Sequence, residues 1–137
     1  MADIVVVAAK VAFVDQEQAD HSSYIAAEAI TQGQPVYILS TGKVGVANAL
    51  TAGKQQFRGI AMNGGGAGSA IDVCSEGELA GFTLPGNPDA VIYLSDTAGT
   101  LADAAGTKSV PVGRIVSRSD KDLTKVLHVF VPWTTTW

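Results

Sequence analysis

The sequence predicts a mainly β fold, a small β-barrel or β-sandwich with an internally repeated hairpin unit and an extended N-terminal arm. Three observations predict it. First, a phrase occurs twice: Tyr-Ile-Leu-Ser-Thr-Gly-Lys-Val-Gly-Val-Ala-Asn-Ala at 37–49 is echoed by Tyr-Leu-Ser-Asp-Thr-Ala-Gly-Thr-Leu-Ala-Asp-Ala at 93–104. Second, each copy follows Gly-x-Pro (Gly33-Gln34-Pro35, Gly86-Asn87-Pro88) and precedes a short Gly-containing strand, Gly59-Ile60-Ala61 or Gly113-Arg114-Ile115. Third, β-branched runs recur with turn signals between them, whereas helical periodicity is not sustained over about twelve residues anywhere. Two copies of strand, tight turn, strand, loop, strand make a small barrel or sandwich.

The elements follow in order. Ile4 to Val14 is Val-rich with Phe13 near its end, which favours strand over an amphipathic helix. Asp15-Gln-Glu-Gln-Ala-Asp-His-Ser-Ser reads as a polar linker or long loop. Residues 1–23 are therefore expected as an arm and linker, and 24–137 as a single β domain with a C-terminal tail. Such an arm would either order against a partner, for instance by adding a strand to its sheet edge, or serve as the first strand of its own sheet. Pro35 belongs at a strand start, where its missing N–H costs no ladder bond. Val36–Leu39 is then a strand, Ser40-Thr41-Gly42-Lys43 a hairpin turn and Val44–Ala47 the return strand. Further strands are expected at Phe57–Met62, Ile71–Cys74, Gly77–Leu84, Val91–Leu94, Val110–Ser117 and Lys125–Val131. Leu101 to Ala105 is short enough to be a turn of helix, and Ser119-Asp120-Lys121-Asp122 is a turn.

At 137 residues the chain is one domain, long enough to bury roughly 68% of its unfolded surface without staples. Charged residues are 16% of it, against about 25% in ordinary domains, and mean hydropathy is +0.24. No segment approaches the roughly 18 apolar residues of a membrane helix, so the apolar surface of this chain is expected in an oligomer or assembly interface. A net charge of −4 with scattered basic residues argues against nucleic acid as a partner. Arg114, Arg118, Lys121 and Lys125 are close enough only to solvate a hairpin tip. The start Met1-Ala2-Asp3-Ile4 carries an acid where a signal peptide has basic residues, so residence in the cytoplasm where it is made is the expectation.

The familiar catalytic and ligand-binding patterns do not fit these residues. Asn63-Gly64-Gly65-Gly66-Ala67-Gly68-Ser69 lacks the Gly-Lys-Ser/Thr of a phosphate loop and is followed by a strand pattern rather than a helix, so it reads as a hairpin tip. His21 and His128 lack zinc-ligand spacing, Gly-x-Ser-x-Gly is absent, and the one cysteine, Cys74, sits in an alternating apolar run as a small buried hydrophobe. Lys43 at a hairpin turn has Gly42 and Val44 as neighbours, unlike the modified lysine of carrier domains. Neither an enzyme nor a cofactor or metal site is expected. Trp133 and Trp137 close the chain after Pro132; they dock on a partner or fold back as a lid over the barrel end.

Ala-Ile-x-x-Gly-x-Pro-Val at 29–36, Gly-Ile-Ala at 59–61, Val-Ile-Tyr at 91–93 and Val-Gly-Arg-Ile at 112–115 make residues 26–131 resemble the capsid decoration (cement, head-stabilising) proteins of tailed bacteriophages. The first 25 residues and the tryptophan tail fall outside the likeness. The resemblance implies a structural virion protein, made in the host bacterial cytoplasm, that sits on the capsid exterior as a homotrimer and bridges major capsid protein subunits. It implies no catalytic residue, no cofactor, and neither nucleic acid nor membrane as partner. The partner interface is expected at Ile4, Val5, Val6, Val7, Val11, Phe13, Val14, Trp133 and Trp137, the barrel supplying the trimer contact and the arm the capsid contact. Deleting residues 1–14 is then expected to abolish capsid binding and spare the oligomer. Alternatives are a tail, fibre-base or head-spike β-domain, or a glycan-binding domain using the tryptophans.

Overall fold

The computed structural model describes residues 3–118 and 123–137. They form strands β1 (Val5–Val6), β2 (Ala12–Phe13), β3 (Asp20–Ile25), β4 (Pro35–Ile38), β5 (Val44–Val46), β6 (Gly59–Ala61), β7 (Ala70–Ala80), β8 (Phe82–Thr83), β9 (Val91–Leu94), β10 (Leu101–Ala102), β11 (Pro111–Arg118) and β12 (Leu123–Phe130), with 3₁₀ turns at Ala8–Lys10 and Gln16–Gln18.

The duplicated phrase becomes a duplicated topology. The main sheet runs β10-β9-β11-β12-β7-β6-β4-β5, all pairs antiparallel. Replacing β4-β5-β6-β7 by β9-β10-β11-β12 leaves that order unchanged when it is read from the other end. The molecule is thus two four-strand units joined across a central β7/β12 pair, in which Gly77 lies opposite Val129 and Glu76 opposite Phe130. Equivalent glycines sit at equivalent places: Gly59 of β6 faces Val36 of β4, and Gly113 of β11 faces Ile92 of β9. Both need to be glycine. A Cβ at Gly113 would overlap the carbonyl oxygen of His128, and one at Gly59, whose φ is 151°, would press on Val73 and the Cys74 carbonyl.

The sheet curls until its ends meet. Beyond the β5 edge, Ala49 N–H donates to the Ser95 carbonyl (2.8 Å), while Gly99 N–H donates to Ala47 (2.9 Å) and Lys108 N–H to Ala49 (3.1 Å). Inside lies the main core, where Phe57, Ile60, Leu79, Ile92, Leu94, Ile115 and Leu127 are buried. A second, smaller core of Ala26, Ile30, Val36, Val44, Ala61, Ile71 and Val73 lies on the other face of the first unit, covered by the segment around β3. Cys74 and Leu79, an odd number of positions apart on β7, both reach the main core. The register explains it: Asp20 pairs with Glu76 and His21 with Cys74, so Ser75 is an extra residue and resets the alternation.

Several expectations meet corrections here. The polar stretch from Asp15 is not a free linker: Asp20–Ile25 is β3, paired along β7. Asp20–Ser23 and Ile25 all stay exposed, because backbone pairing with β7 rather than apolar packing holds the strand in place. Ile71–Cys74 and Gly77–Leu84 are mostly one strand, continued through the bulge. Leu101–Ala102 is strand rather than a helical turn. The arm is extended, but it is strapped onto the domain: β1 pairs with β8, β2 with β7, and Ile4 N–H donates to Leu101 (2.8 Å). The turn expected at 119–122 lies outside the described residues.

Candidate interaction site

The apolar residues expected at a partner interface divide sharply by burial. Ile4 (5% exposed) and Val11 (4%) belong to this chain's own core. Phe13 packs against that core and stacks at a tilt on His21, the ring centroids 5.0 Å apart; Val6 and Val14 are half-buried. The outward residues of the arm are Val5 (64% exposed) and Val7 (44%), followed by exposed Lys10. Deleting residues 1–14 would therefore open the core as well as remove an exposed ridge.

The tryptophans fold back without being fully covered. Trp137 packs against the main core, and Trp133 remains 52% exposed. The guanidinium of Arg58 lies 5.6 Å from the Trp133 ring centroid and 5.7 Å from that of Trp137, and donates to the Thr135 carbonyl (3.2 Å). Gln56 grips Trp137 twice, its amide donating to the Trp137 carbonyl and its side-chain oxygen accepting the Trp137 N–H (3.1 Å). Partial burial draws the Arg58 pKa below its ordinary value.

Two adjoining hollows share His128. One, of about 570 Å³, is lined by Val91 and Tyr93 of β9, Pro111, Gly113 and Arg114 of β11, and Phe130 and Pro132 at the end of β12. Phe130 is 51% exposed, and Arg114 is held at the rim by donating to the Asp89 carbonyl (2.7 Å). The other, of about 500 Å³, is polar, lined by Asp15, Gln18, Glu76, Glu78 and Arg118. Arg118 and Glu78 form an ion pair across it. Asp15 and Glu76 have no cationic partner among the described residues. Together the hollows form one trough with an apolar end and an acidic end. Sequence reasoning missed it. Its residues come from distant strands, and the one local signal was Phe130 standing out of phase with the buried Leu127 and Val129.

The remaining chemistry-bearing residues are accounted for locally. His21 Nδ1 lies 2.8 Å from Asp72, on the surface. Asp72 is oriented by Asn63, which accepts its backbone N–H (2.6 Å) and donates to the Ala70 carbonyl (3.0 Å). Asn63–Ser69 links β6 to β7, and its Gly65 exchanges two backbone hydrogen bonds with Ile30 (2.9 Å each). Cys74 is buried, and that burial pushes its thiol up to about 12, which suits a packed side chain rather than a nucleophile. Among the described residues no group of His, Cys, Asp and Glu is placed to hold a metal ion, and no helix is long and apolar enough to cross a membrane. Compared with known proteins, the sequence matches no family model and no curated protein.

Proposed function

We propose that this chain is a structural, non-enzymatic decoration protein of a bacteriophage virion. It binds the outside of an icosahedral capsid as a homotrimer and stabilises the shell by bridging major capsid protein subunits. The observation that carries the reading is apolar surface left uncovered on a duplicated barrel: Val5, Phe130 and Trp133 are each more than half exposed in a chain with few charges. Of these, Phe130 belongs to a contiguous apolar hollow with Val91, Tyr93 and Pro111, and contiguous exposed apolar surface supports a meeting with another protein. The resemblance through Gly-x-Pro-Val, Gly-Ile-Ala and Val-Gly-Arg-Ile supplies the kind of partner.

The mechanism needs no bond chemistry. A clamp stabilises whichever state of the shell it binds preferentially, by about 2.7 kcal/mol per site at a hundredfold its dissociation constant. A trimer that engages several capsid subunits at once gains further through effective concentration. Gradient co-sedimentation with mature capsids lacking the protein tests the reading. Saturation near one trimer per three-fold position is the expected result, and no binding to any head form would overturn it.

A further inference from the structure

The two units of the barrel differ in what covers them. In the first, the face turned away from the main core carries Val36, Ala61, Ile71 and Val73, and the chain's own segment with Tyr24, Ala26 and Ile30 lies on it. In the second, the face of β9, β11 and β12 turned outward carries Val91, Tyr93, Pro111 and Phe130, and it is an open hollow. The chain before β9 and the tail after β12 both lead elsewhere: β8 pairs with β1, and the tail docks on Gln56 and Arg58. One unit has a covering segment in cis; its counterpart has none among the described residues.

A segment that completed the second unit would be extended and apolar, with a positive charge beside its apolar residues to meet Asp15 and Glu76 at the acidic end of the trough. The chain presents such a segment on its own surface. Val5 and Val7 project outward from the arm at the alternate spacing of an extended strand, and exposed Lys10 follows them. The ridge is held beside β8 and β10, on different strands from the trough. A contact between two dissimilar patches is head-to-tail, and it closes into a ring when the rotation per subunit allows.

We infer that the trough on β9, β11 and β12 receives the outward face of the arm of a second copy of this chain, Val5 and Val7 seated by Tyr93 and Phe130, and Lys10 by Asp15 and Glu76. The inference deepens the trimer proposed above and rests on that part of it alone. It gives the arm to the sister subunit rather than to the capsid.

Light scattering on the eluting protein tests it. Wild type is expected at the mass of three chains. The double substitution Val5→Asp with Val7→Asp, and the single substitution Phe130→Asp, are each expected at 14.1 kDa, one chain. An equimolar mixture of the two variants is the deciding sample: one intact arm meets one intact trough, so pairs form and rings do not. Circular dichroism and melting check that each variant folds, and Phe130→Ser replaces Phe130→Asp in the same mixture if the latter does not. A monomeric wild type, a variant that stays trimeric, or a mixture that stays monomeric overturns the inference. A monomeric wild type whose Phe130→Asp variant loses capsid binding would give the trough to the shell instead. Rings that assemble as described but never bind capsids would leave this contact standing and sink the decoration reading.

Discussion

The first and second units share strand order and glycine placement, yet one is buried on both faces and the other on one. What separates them is a length of chain. Before β4 the polypeptide runs along β7 as β3 and then returns over the first unit through Ala26 and Ile30. Before β9 there is only the short β8 and a turn. The same four-strand plan thus serves as a closed, doubly covered layer in one half and as an open platform in the other. Burial alone does not follow from repeat topology; it depends on what the flanking residues do.

The sharpest way to break the comparison is at the shared glycines. Gly113→Ala and Gly59→Ala should each destabilise the fold by about 3 kcal/mol or more, because a Cβ meets backbone across the sheet at both places. Urea unfolding would read this, and a tolerant half would show that the two units are not equivalent there.

Core truncation comes next. Leu127→Ala, in the main core, should cost about 3–4 kcal/mol, and Ile71→Ala, in the smaller covered layer, about 2–3. Hydrogen exchange should find amides of β3 opening before those of β12, and Ile71→Ala should widen that gap.

The ion pair between β7 and β11 is a smaller link. Its side chains are 20% and 24% exposed, so Glu78→Gln should cost about 1 kcal/mol, measurable as a lowered urea midpoint with unchanged slope.

The last expected effect is a pH dependence that vanishes at neutral pH and shows only in alkaline solution. The Cys74 thiol titrates near 9.0 when unfolded and is pushed up to about 12 when folded. Between those values the folded state holds a proton that the unfolded state has lost. Stability is therefore intact below about pH 9 and falls above it, by up to about 1.4 kcal/mol per pH unit. Cys74→Ala should flatten that alkaline slope relative to wild type, whatever its effect at neutral pH.

Much of the fold was legible because local signals agreed with the global plan. Val91–Leu94 is β9 as read, and the hairpin at Ser40-Thr41-Gly42-Lys43 closes as its glycine demanded, with φ of 87° at Gly42 and Leu39 N–H donating to Lys43 (2.8 Å). What was illegible depended on partners remote in sequence. Asp20-His21-Ser22-Ser23 has no apolar alternation, since β7 holds it by backbone pairing and the His21–Asp72 contact rather than by apolar packing. Ser75-Glu76-Gly77 looks like a break, yet a bulge carries the strand through it. Ile4 and Val11 have the same character as Val5 and Val7 in the sequence; only the pairing with β7, β8 and Leu101 decides which pair turns inward. The trough belongs to the same class, assembled from residues that no spacing connects.

The central β7/β12 pair carries one more consequence. Two equivalent strands meet there antiparallel, with Leu127 facing Leu79 and Phe130 facing Glu76, the arrangement that results when two half-length subunits of a symmetric dimer are fused into one polypeptide. Fusion ends the obligation of the halves to be identical. In a dimer of identical chains, any residue that paired well at one end would reappear at the other, and a bare face on one side would be bare on both. Once the halves lie in tandem, each position mutates alone. An acid at 76 and an aromatic at 130 are alternatives that only a single chain can hold at the same time.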